Sequence, residues 1–396
     1  MEGSQAQTDC RFFSGYKPCG KNDICSPRCP FKQGAHPRIL IVHLEALGAV
    51  LRATLILSSI KRRWPHAHIT WATSPGASLL LENNPQIDRL IQNDHRGVLA
   101  LSTLKFDFTY VIDKSAEASG LANRALGQGV VKGFGVEAET GAIIPLNPEA
   151  NRLYELGLSN YEKFFVNKKP EGQLLVEALG LEYENNEYLF SFSKEEEKKK
   201  SSMRESLGIK SEVPVIGLNT GCSGVIPYKK FSVKGWLDLI KVLKHKFPQA
   251  QLVLLGGPED TERNLEIQDS SEIPLIATPT TEGLRTGMMA VDLCNIIVTG
   301  DSLGMHMGIA LKKWVVAWFG PTCAHEIDFY GRGTAIKTDL NCSPCWKRSC
   351  DKAVMCYDKV EWAKISQGVK LGLSKLGFSS QDKNLAASEN ILSSPT

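Results

Sequence analysis

Two stretches in which short apolar runs alternate with apolar-periodic segments predict an α/β protein made of two doubly wound parallel sheets. The chain has 396 residues, enough for two domains and extensions at roughly 100–200 residues per domain. Hydrophobic residues make up 42% of it and charged residues 22%, a globular composition that excludes wholesale disorder.

The first domain begins directly after Pro37 with an apolar strand, a loop and a helix. Further short apolar runs follow, separated by helical or loop stretches, so the strands are expected to pair in parallel. The predicted elements are the strand Arg38–His43, a helix from about Val50 to Trp64, and the strands His68–Thr73, Ile87–Ile91 and Phe108–Ile112.

The second domain repeats this plan after a weakly patterned region and the charge run Lys194–Lys200, which predicts a solvated helix. Its predicted strands are Val213–Leu218, Gln251–Leu255, Asn295–Thr299 and Trp314–Phe319. Its predicted helices are Ser232–Phe247, Glu259–Asp269, Thr281–Leu293 and Gly304–Leu311.

These patterns divide the chain into six segments. We expect a Cys-rich extension at 1–37, a Rossmann-like domain at 38–190, a linker helix at 191–212 and a second Rossmann-like domain at 213–340. A Cys-rich segment with a terminal helix follows at 341–376, and 377–396 is expected to be a disordered tail. Ligands of such folds bind beyond the carboxyl ends of the strands, so a cleft between the domains is expected.

Charge and hydropathy restrict the partners and the compartment. Lys and Arg total 46 against 43 Asp and Glu, a net charge of +3 that gives no reason to expect a nucleic-acid partner. No apolar stretch approaches the ~18–20 residues of a membrane span, so a cytoplasmic protein is expected. Four basic residues could face an anionic acceptor or the inner surface of the membrane, or could simply be solvated: Arg52, Lys61, Arg62 and Arg63.

The loop after the first strand, residues 44–49, contains one glycine, Gly48. A dinucleotide fingerprint needs three glycines, for the tight turn, the pyrophosphate and helix packing. An NAD-dependent oxidoreductase is therefore disfavoured. Gly48 still allows the backbone to approach a ligand, although a plain tight turn is an equal alternative.

Three strand ends of the second domain point to a nucleotide. Residues 219–224 are small and precede Lys229 and Lys230, which suits a diphosphate, although two lysines can also be a solvated pair. Glu259 follows a glycine pair and could accept from a ribose or favour a helix dipole. Asp301 and Ser302 lie at a strand-to-helix switch, where either can cap the helix.

These motifs together resemble glycosyltransferase family 9, the ADP-heptose:lipopolysaccharide heptosyltransferases. The resemblance covers roughly residues 38–340 and rests on the first-strand loop, the turn at 219–221, GGPE at 256–259, TGDSLGMH at 299–306, WFGPT at 318–322 and EIDFYGRG at 326–333. It implies a GT-B fold, an ADP-heptose donor, a lipopolysaccharide-core or related glycan acceptor, and inversion by direct displacement without a catalytic divalent ion. It also implies that 38–190 is the acceptor domain and 213–340 the nucleotide-sugar domain.

The resemblance also assigns residue roles. Oriented N–H groups and a lysine would stabilise the charge that develops on the departing ADP. It implies that Thr220, Gly221 and Lys229 contact the diphosphate, Glu259 the ribose, Asp301, Ser302, Gly304 and His306 the donor sugar and phosphates, and that Gly48 belongs to the nucleotide-sugar site, with Lys229 and Asp301 catalytic.

One position departs from the family pattern. Family members usually carry Asp directly after the glycine of the first loop, where it is thought to deprotonate the acceptor hydroxyl, and here the residue is Ala49. Either Glu45 on the same loop is the general base, or the acceptor is activated differently, or catalysis is impaired. His43 is a weaker candidate, because a histidine at a strand end is more often packed.

Eight of the eleven cysteines form two clusters, which we call the N-terminal and C-terminal Cys clusters. Four thiolates can close a tetrahedral shell around Zn or Fe, and clusters of this kind occur in a cysteine-bearing branch of the family. Structural metal sites, disulfides or free thiols, and an iron–sulfur cluster remain open alternatives. The clusters are Cys10, Cys19, Cys25 and Cys29, and Cys342, Cys345, Cys350 and Cys356.

The sequence therefore predicts an inverting heptosyltransferase, with two rival functions. One is a transferase with another nucleotide sugar or a protein acceptor, because the donor sugar rests on family analogy. The other is a non-catalytic nucleotide-sugar-binding scaffold, which Ala49 and the Cys clusters favour.

Overall fold

The computed structural model describes residues 4–13 and 15–378. The chain divides into two compact units. Unit 1 comprises the residues up to Ser193 together with His325–Asp328, and unit 2 comprises Lys194–Ala324 and the residues from Phe329 onward. Apart from Gly377 and Phe378, the predicted disordered tail lies outside the described residues.

Unit 1 contains a six-stranded sheet in the order β3-β2-β1-β4-β5-β6. Strands β1 to β5 pair in parallel, and β6 is antiparallel to β5. The central strands β1 and β2 are mostly apolar and buried along nearly their whole length, as expected of a sheet covered on both faces. The strands are β1 Arg38–Val42, β2 His68–Thr73, β3 Arg89–Gln92, β4 Lys105–Val111, β5 Gly127–Val136 and β6 Ile143–Pro145.

Helices of unit 1 connect these strands and extend beyond β6. They are α1 Leu47–Ala53, α2 Ile56–Arg63, α3 Pro75–Leu81, α4 His95–Leu101, α5 Ala116–Ala122, α6 Asn151–Leu158 and α7 Glu171–Ala178. The N-terminal extension packs on the strand ends, where the Arg11 guanidinium contacts the Asp88 carboxylate. The Arg38 side chain donates to the Thr8 carbonyl across 2.9 Å.

Unit 2 contains a second six-stranded sheet, all parallel, in the order β12-β11-β10-β7-β8-β9. Its strands are β7 Val215–Asn219, β8 Gln251–Leu255, β9 Ile276–Ala277, β10 Ile296–Gly300, β11 Trp314–Phe319 and β12 Gly333–Lys337. Its helices are α8 Lys194–Ser206, α9 Val233–Lys246, α10 Thr261–Ser270, α11 Leu284–Asp292, α12 Leu303–Ala310 and α13 Trp362–Lys375.

Several elements differ from the predicted ones. The helix expected from Val50 to Trp64 is two helices, α1 and α2, because the chain turns at Thr54, whose hydroxyl donates to the Leu51 carbonyl. Strand β5 was not predicted, since its glycines hide the apolar alternation, and the short strands β6, β9 and β12 were also missed. Helix α8 forms over the predicted charge run and belongs to unit 2, where Lys200 pairs with Asp292 of α11.

Among the described residues, no helix is both long enough and apolar enough to cross a lipid bilayer.

Candidate active site

The carboxyl ends of β7 and β10 are joined by a buried polar network. The Asn219 side-chain amide donates to the hydroxyls of Thr299 and Ser302, both across 3.0 Å, and to the Gly221 carbonyl across 3.2 Å. Asn219 and Ser302 are each 8% exposed, so these bonds form away from water, where an unmade bond would be expensive. The network fixes the turn after β7 against the start of α12.

Two glycines make this packing close. A Cβ on Gly304, in the first turn of α12, would lie 2.4 Å from the Asn219 side chain. A Cβ on Gly300 would lie 1.8 Å from the Lys229 carbonyl oxygen. Only glycine fits at either position, so the segments 219–230 and 299–306 lie side by side at one edge of the sheet.

Lys229 and Asp301 face each other at this edge. The Lys229 Nζ lies 3.4 Å from an Asp301 carboxylate oxygen, and the two side chains are 16% and 15% exposed. Asp301 therefore does not cap α12. Ser302 holds the N-cap position, but its hydroxyl is used by Asn219 and Thr299 and makes no capping bond. The predicted capping role is wrong for both residues, because Asp301 faces Lys229 and the Ser302 hydroxyl is bound to Asn219 and Thr299.

The other predicted site residues of unit 2 differ from one another in burial and in hydrogen bonding. Thr220 is fully buried, and its hydroxyl donates to Asn264 across 2.5 Å, so this hydroxyl points away from the strand edge. Glu259 is exposed, whereas His306 lies buried in α12. The roles assigned to these residues stay predictions.

Asp260, which the sequence reasoning passed over for Glu259, is the buried carboxylate of this edge. It is 7% exposed, and Gly257 donates its backbone N–H to it across 3.0 Å. Burial raises the pKa of Asp260, while this hydrogen bond and the nearby Lys230 oppose the rise. A Cβ on Gly221 would lie 2.0 Å from both carboxylate oxygens, so the glycine turn is built around Asp260.

In unit 1, the carboxyl ends of β1 and β4 bring a histidine and a carboxylate together. The His43 Nδ1 lies 2.6 Å from an Asp113 carboxylate oxygen, and the Leu44 backbone N–H contacts the other oxygen. His43 is 5% exposed. Glu45, two residues later, is exposed, and Gly48 and Ala49 lie in the first turns of α1.

The sequence model of glycosyltransferase family 9 (heptosyltransferase) matches residues 161–355. These residues include the whole strand edge of unit 2 described above. The chain therefore carries a glycosyltransferase family 9 domain over these residues.

The curated relatives of this chain are heptosyltransferases. Lipooligosaccharide heptosyltransferase 2 of Campylobacter jejuni is 25% identical over 182 residues, which cover 43% of this chain and 55% of the relative. The match thus spans about half the length of that relative. Lipopolysaccharide heptosyltransferase 1 of Campylobacter coli is 23% identical over 330 residues, 77% of this chain and 88% of the relative.

Solved structures confirm the predicted GT-B fold class of this chain. A family 9 glycosyl transferase from Veillonella parvula has a TM-score of 0.64 at 18% identity, over 86% of this chain and 98% of its own. ADP-heptose LPS heptosyltransferase II of E. coli has a TM-score of 0.60 at 18% identity, over 86% and 99%. E. coli heptosyltransferase WaaC with ADP-2-deoxy-2-fluoro heptose has a TM-score of 0.55 at 14% identity, over 84% and 99%.

The thiols of each Cys cluster line one small cavity. The four N-terminal thiols line a cavity of about 20 Å³, and the four C-terminal thiols line one of about 30 Å³. All eleven cysteines lie in the described stretches. All of them are free thiols, so none forms a disulfide. Within residues 4–13 and 15–378, no three Cys, His, Asp or Glu side chains lie close enough together to hold a metal ion.

The C-terminal cluster touches the turn that follows β7. The Cys350 backbone N–H donates to the Tyr228 hydroxyl across 3.3 Å, and Tyr228 directly precedes Lys229. Burial raises the pKa of the Cys356 thiol to about 11, with the neighbouring Cys345 adding to the rise. The cluster is therefore a support for the turn that carries Lys229.

The basic residues flagged as a candidate anionic face are bound within unit 1. Arg62 donates to Asn186 across 2.9 Å, Lys61 donates to the Ala67 carbonyl across 2.6 Å, and Arg63 donates to the Gly180 carbonyl across 3.1 Å. Arg52 pairs with Glu171 across 3.0 Å. These contacts favour a structural use of the four cations.

Proposed function

We propose that this protein is an inverting glycosyltransferase that moves heptose from ADP-heptose to a lipopolysaccharide-core or related glycan acceptor. The family 9 domain supports the reaction class. The curated relatives named as heptosyltransferases support the sugar, and a structural neighbour determined with ADP-2-deoxy-2-fluoro heptose supports the donor. A glycolipid acceptor would bring the protein to the inner face of the membrane as a peripheral contact, from a cytoplasmic location.

The observation that carries the proposal is the meeting of segments 219–230 and 299–306 at one strand edge. Displacement at the anomeric carbon leaves negative charge on ADP, and a cation held in place beforehand stabilises that charge without reorganisation. Asp301 holds the Lys229 ammonium at this edge. In the proposal, Lys229 neutralises the diphosphate, Asp301 orients Lys229 and the sugar, and no divalent ion is needed.

The remaining proposed donor contacts involve residues at the same edge. Gly221 and Gly304 let the backbone approach the diphosphate and the sugar, with Ser302 and His306 beside them. Asp260, buried behind the glycine turn, supports the ribose contact proposed for Glu259. Thr220 contributes through the turn that it anchors, since its hydroxyl is bound to Asn264.

The decisive test measures ADP release from ADP-heptose with heptose-free lipopolysaccharide core as acceptor. We expect turnover by the wild-type protein and at least a tenfold weaker donor affinity in Lys229→Ala, because the diphosphate loses its cation. Lys234→Ala is the matched control, since that side chain is 85% exposed on α9, and it should behave as wild type.

A second candidate function is a non-catalytic nucleotide-sugar binder, which the missing carboxylate at Ala49 favours. A melting-temperature screen with ADP- and UDP-sugars separates the alternatives. A shift with ADP-heptose and no ADP release with any acceptor would support the binder, and a shift only with UDP-sugars would support another donor.

Structural metal at the Cys clusters remains a prediction of the sequence. The donor type suits Zn or Fe, and four thiols share each cavity. Among the described residues, however, no three thiols lie close enough together to hold a metal ion. Metal analysis of protein purified without added metal tests the prediction, and a stoichiometry near zero with an intact fold would reject it.

A further inference from the structure

The buried His43–Asp113 pair lies at the strand edge of unit 1. Both residues follow central strands that pair with each other, β1 and β4. The His43 backbone N–H donates to the Ala72 carbonyl across 3.0 Å, and Ile112 donates to the Val42 carbonyl across 3.0 Å. Hydrogen bonds to strands on both sides therefore hold the pair rigidly at the edge where doubly wound folds bind ligands.

The hydrogen bonds define which nitrogen of His43 carries the proton. The Asp113 carboxylate accepts from the Leu44 backbone N–H at one oxygen and faces His43 Nδ1 with the other. An ionised carboxylate only accepts, so Nδ1 must be the donor, and in the neutral imidazole Nε2 then holds a lone pair. Among the described residues Nε2 has no hydrogen-bond partner, and it is not completely buried.

We propose that His43 is the general base of the transfer, with Asp113 as its positioning residue. The inference rests on the proposed function, and it concerns the step for which Ala49 offers no carboxylate. Histidine is the side chain that most often serves as a general base, and a carboxylate on Nδ1 fixes its tautomer and stabilises the imidazolium. Glu45, the carboxylate on the same loop, is exposed.

The step balances as a single displacement. His43 Nε2 takes the proton of the acceptor hydroxyl while the hydroxyl oxygen bonds to the anomeric carbon of the donor. The bond from that carbon to the β-phosphate oxygen breaks, and its electron pair leaves with ADP. The imidazolium, held by Asp113, then returns its proton to water.

The test compares His43→Gln with wild type in the ADP-release assay. Glutamine can still donate to Asp113 but cannot accept the proton, so we expect turnover to fall at least 100-fold, in the range that a general base supplies. The ADP-heptose dissociation constant should stay within twofold of wild type. His66→Gln is the control, because His66 is exposed in the same unit, and its turnover should be unchanged.

Two further variants separate chemistry from folding. His43→Ala should regain activity when free imidazole is added, which a purely structural role cannot produce. Asp113→Asn should lower kcat at unchanged donor affinity, because an amide reverses the tautomer. Full turnover in His43→Gln, or a loss in His43→Ala that imidazole does not restore, would overturn the inference. If the wild-type protein releases no ADP, it is the proposed function that fails.

Discussion

At the scale of single residues, the carboxyl edge of β7 and β10 packs closely because its glycines have no side chain. Gly304 lies against Asn219, whose amide joins the ends of β7 and β10. The family resemblance predicts a donor contact for Gly304, and the structure shows a separate packing requirement at this position. The helix must approach this amide more closely than any Cβ allows.

We expect Gly304→Ala to lower the free energy of unfolding by about 1–3 kcal/mol, as overpacking does, and to abolish the donor-induced rise in melting temperature. Gly287→Ala is the matched control on α11, where a Cβ meets nothing within 4 Å. It should stabilise the helix by about 0.5–1 kcal/mol. Urea unfolding and thermal shift with ADP-heptose check both variants, and a Gly304→Ala protein that still binds the donor would contradict the packing argument.

Glu326 of unit 1 is a second residue with a measurable consequence. Burial and the neighbouring Glu171 carboxylate raise its pKa to about 7, although the Lys163 ammonium lies 3.2 Å away and opposes the rise. The folded state therefore keeps a proton that the unfolded chain has lost between about pH 4.5 and 7.

We predict that stability falls as pH rises through this window, by at most ~3 kcal/mol from this group. Glu326→Gln should flatten the dependence, because its amide does not titrate. Glu117→Gln, at an exposed site on α5, should leave the slope of wild type. Urea unfolding monitored between pH 4 and 8 provides the comparison, and an unchanged slope in Glu326→Gln would contradict the assignment.

At the scale of elements, helix α13 closes the apolar core of unit 2. Its residues Ile365, Val369 and Leu373 are at most 7% exposed and pack with the tryptophans of β11. A Cβ on Gly372 would lie 2.4 Å from the Trp314 ring, so the helix lies directly on the sheet. The terminal helix is therefore part of the core of unit 2.

We expect Leu373→Ala to destabilise unit 2 by about 2–5 kcal/mol, the usual effect of truncating a buried leucine. Leu371→Ala is the control on the same helix, because its side chain is 47% exposed, and it should change stability by less than about 0.5 kcal/mol. Tryptophan fluorescence during urea unfolding follows the core directly. Equal effects of the two variants would show that α13 is not docked as described.

At the scale of the whole molecule, the reactivity of the cysteines can show how the two Cys-rich extensions are folded. Cys19 and Cys342 are exposed, whereas Cys222, Cys294 and Cys323 are buried within the sheets and their loops. Burial raises the pKa of Cys294 to about 12, which keeps this thiol protonated and unreactive.

Thiol labelling of the native protein should modify Cys19 and Cys342 first, and the three buried cysteines only on unfolding. The unfolded chain should release eleven free thiols, the full count in the sequence. Protection of both clusters that a chelator removes would instead support bound metal, and fewer than eleven thiols without reductant would support disulfides.

The sequence by itself determined the two α/β units, the approximate positions of their main strands and the family resemblance, because strand, loop and helix patterns depend on residues close together in the chain. It could not find β5, whose glycines hide the pattern, or the break between α1 and α2, which depends on a local turn.

Only the tertiary structure decided which side chains meet. Lys229 and Asp301 are 72 residues apart, and His43 and Asp113 are 70 apart, so strand order alone brings each pair together. The tertiary structure also buries Asp260 while it leaves the adjacent Glu259 exposed, and it places the Asp113 carboxylate on His43 Nδ1. Contacts between distant strand ends follow from sheet topology, which no local pattern in the chain encodes.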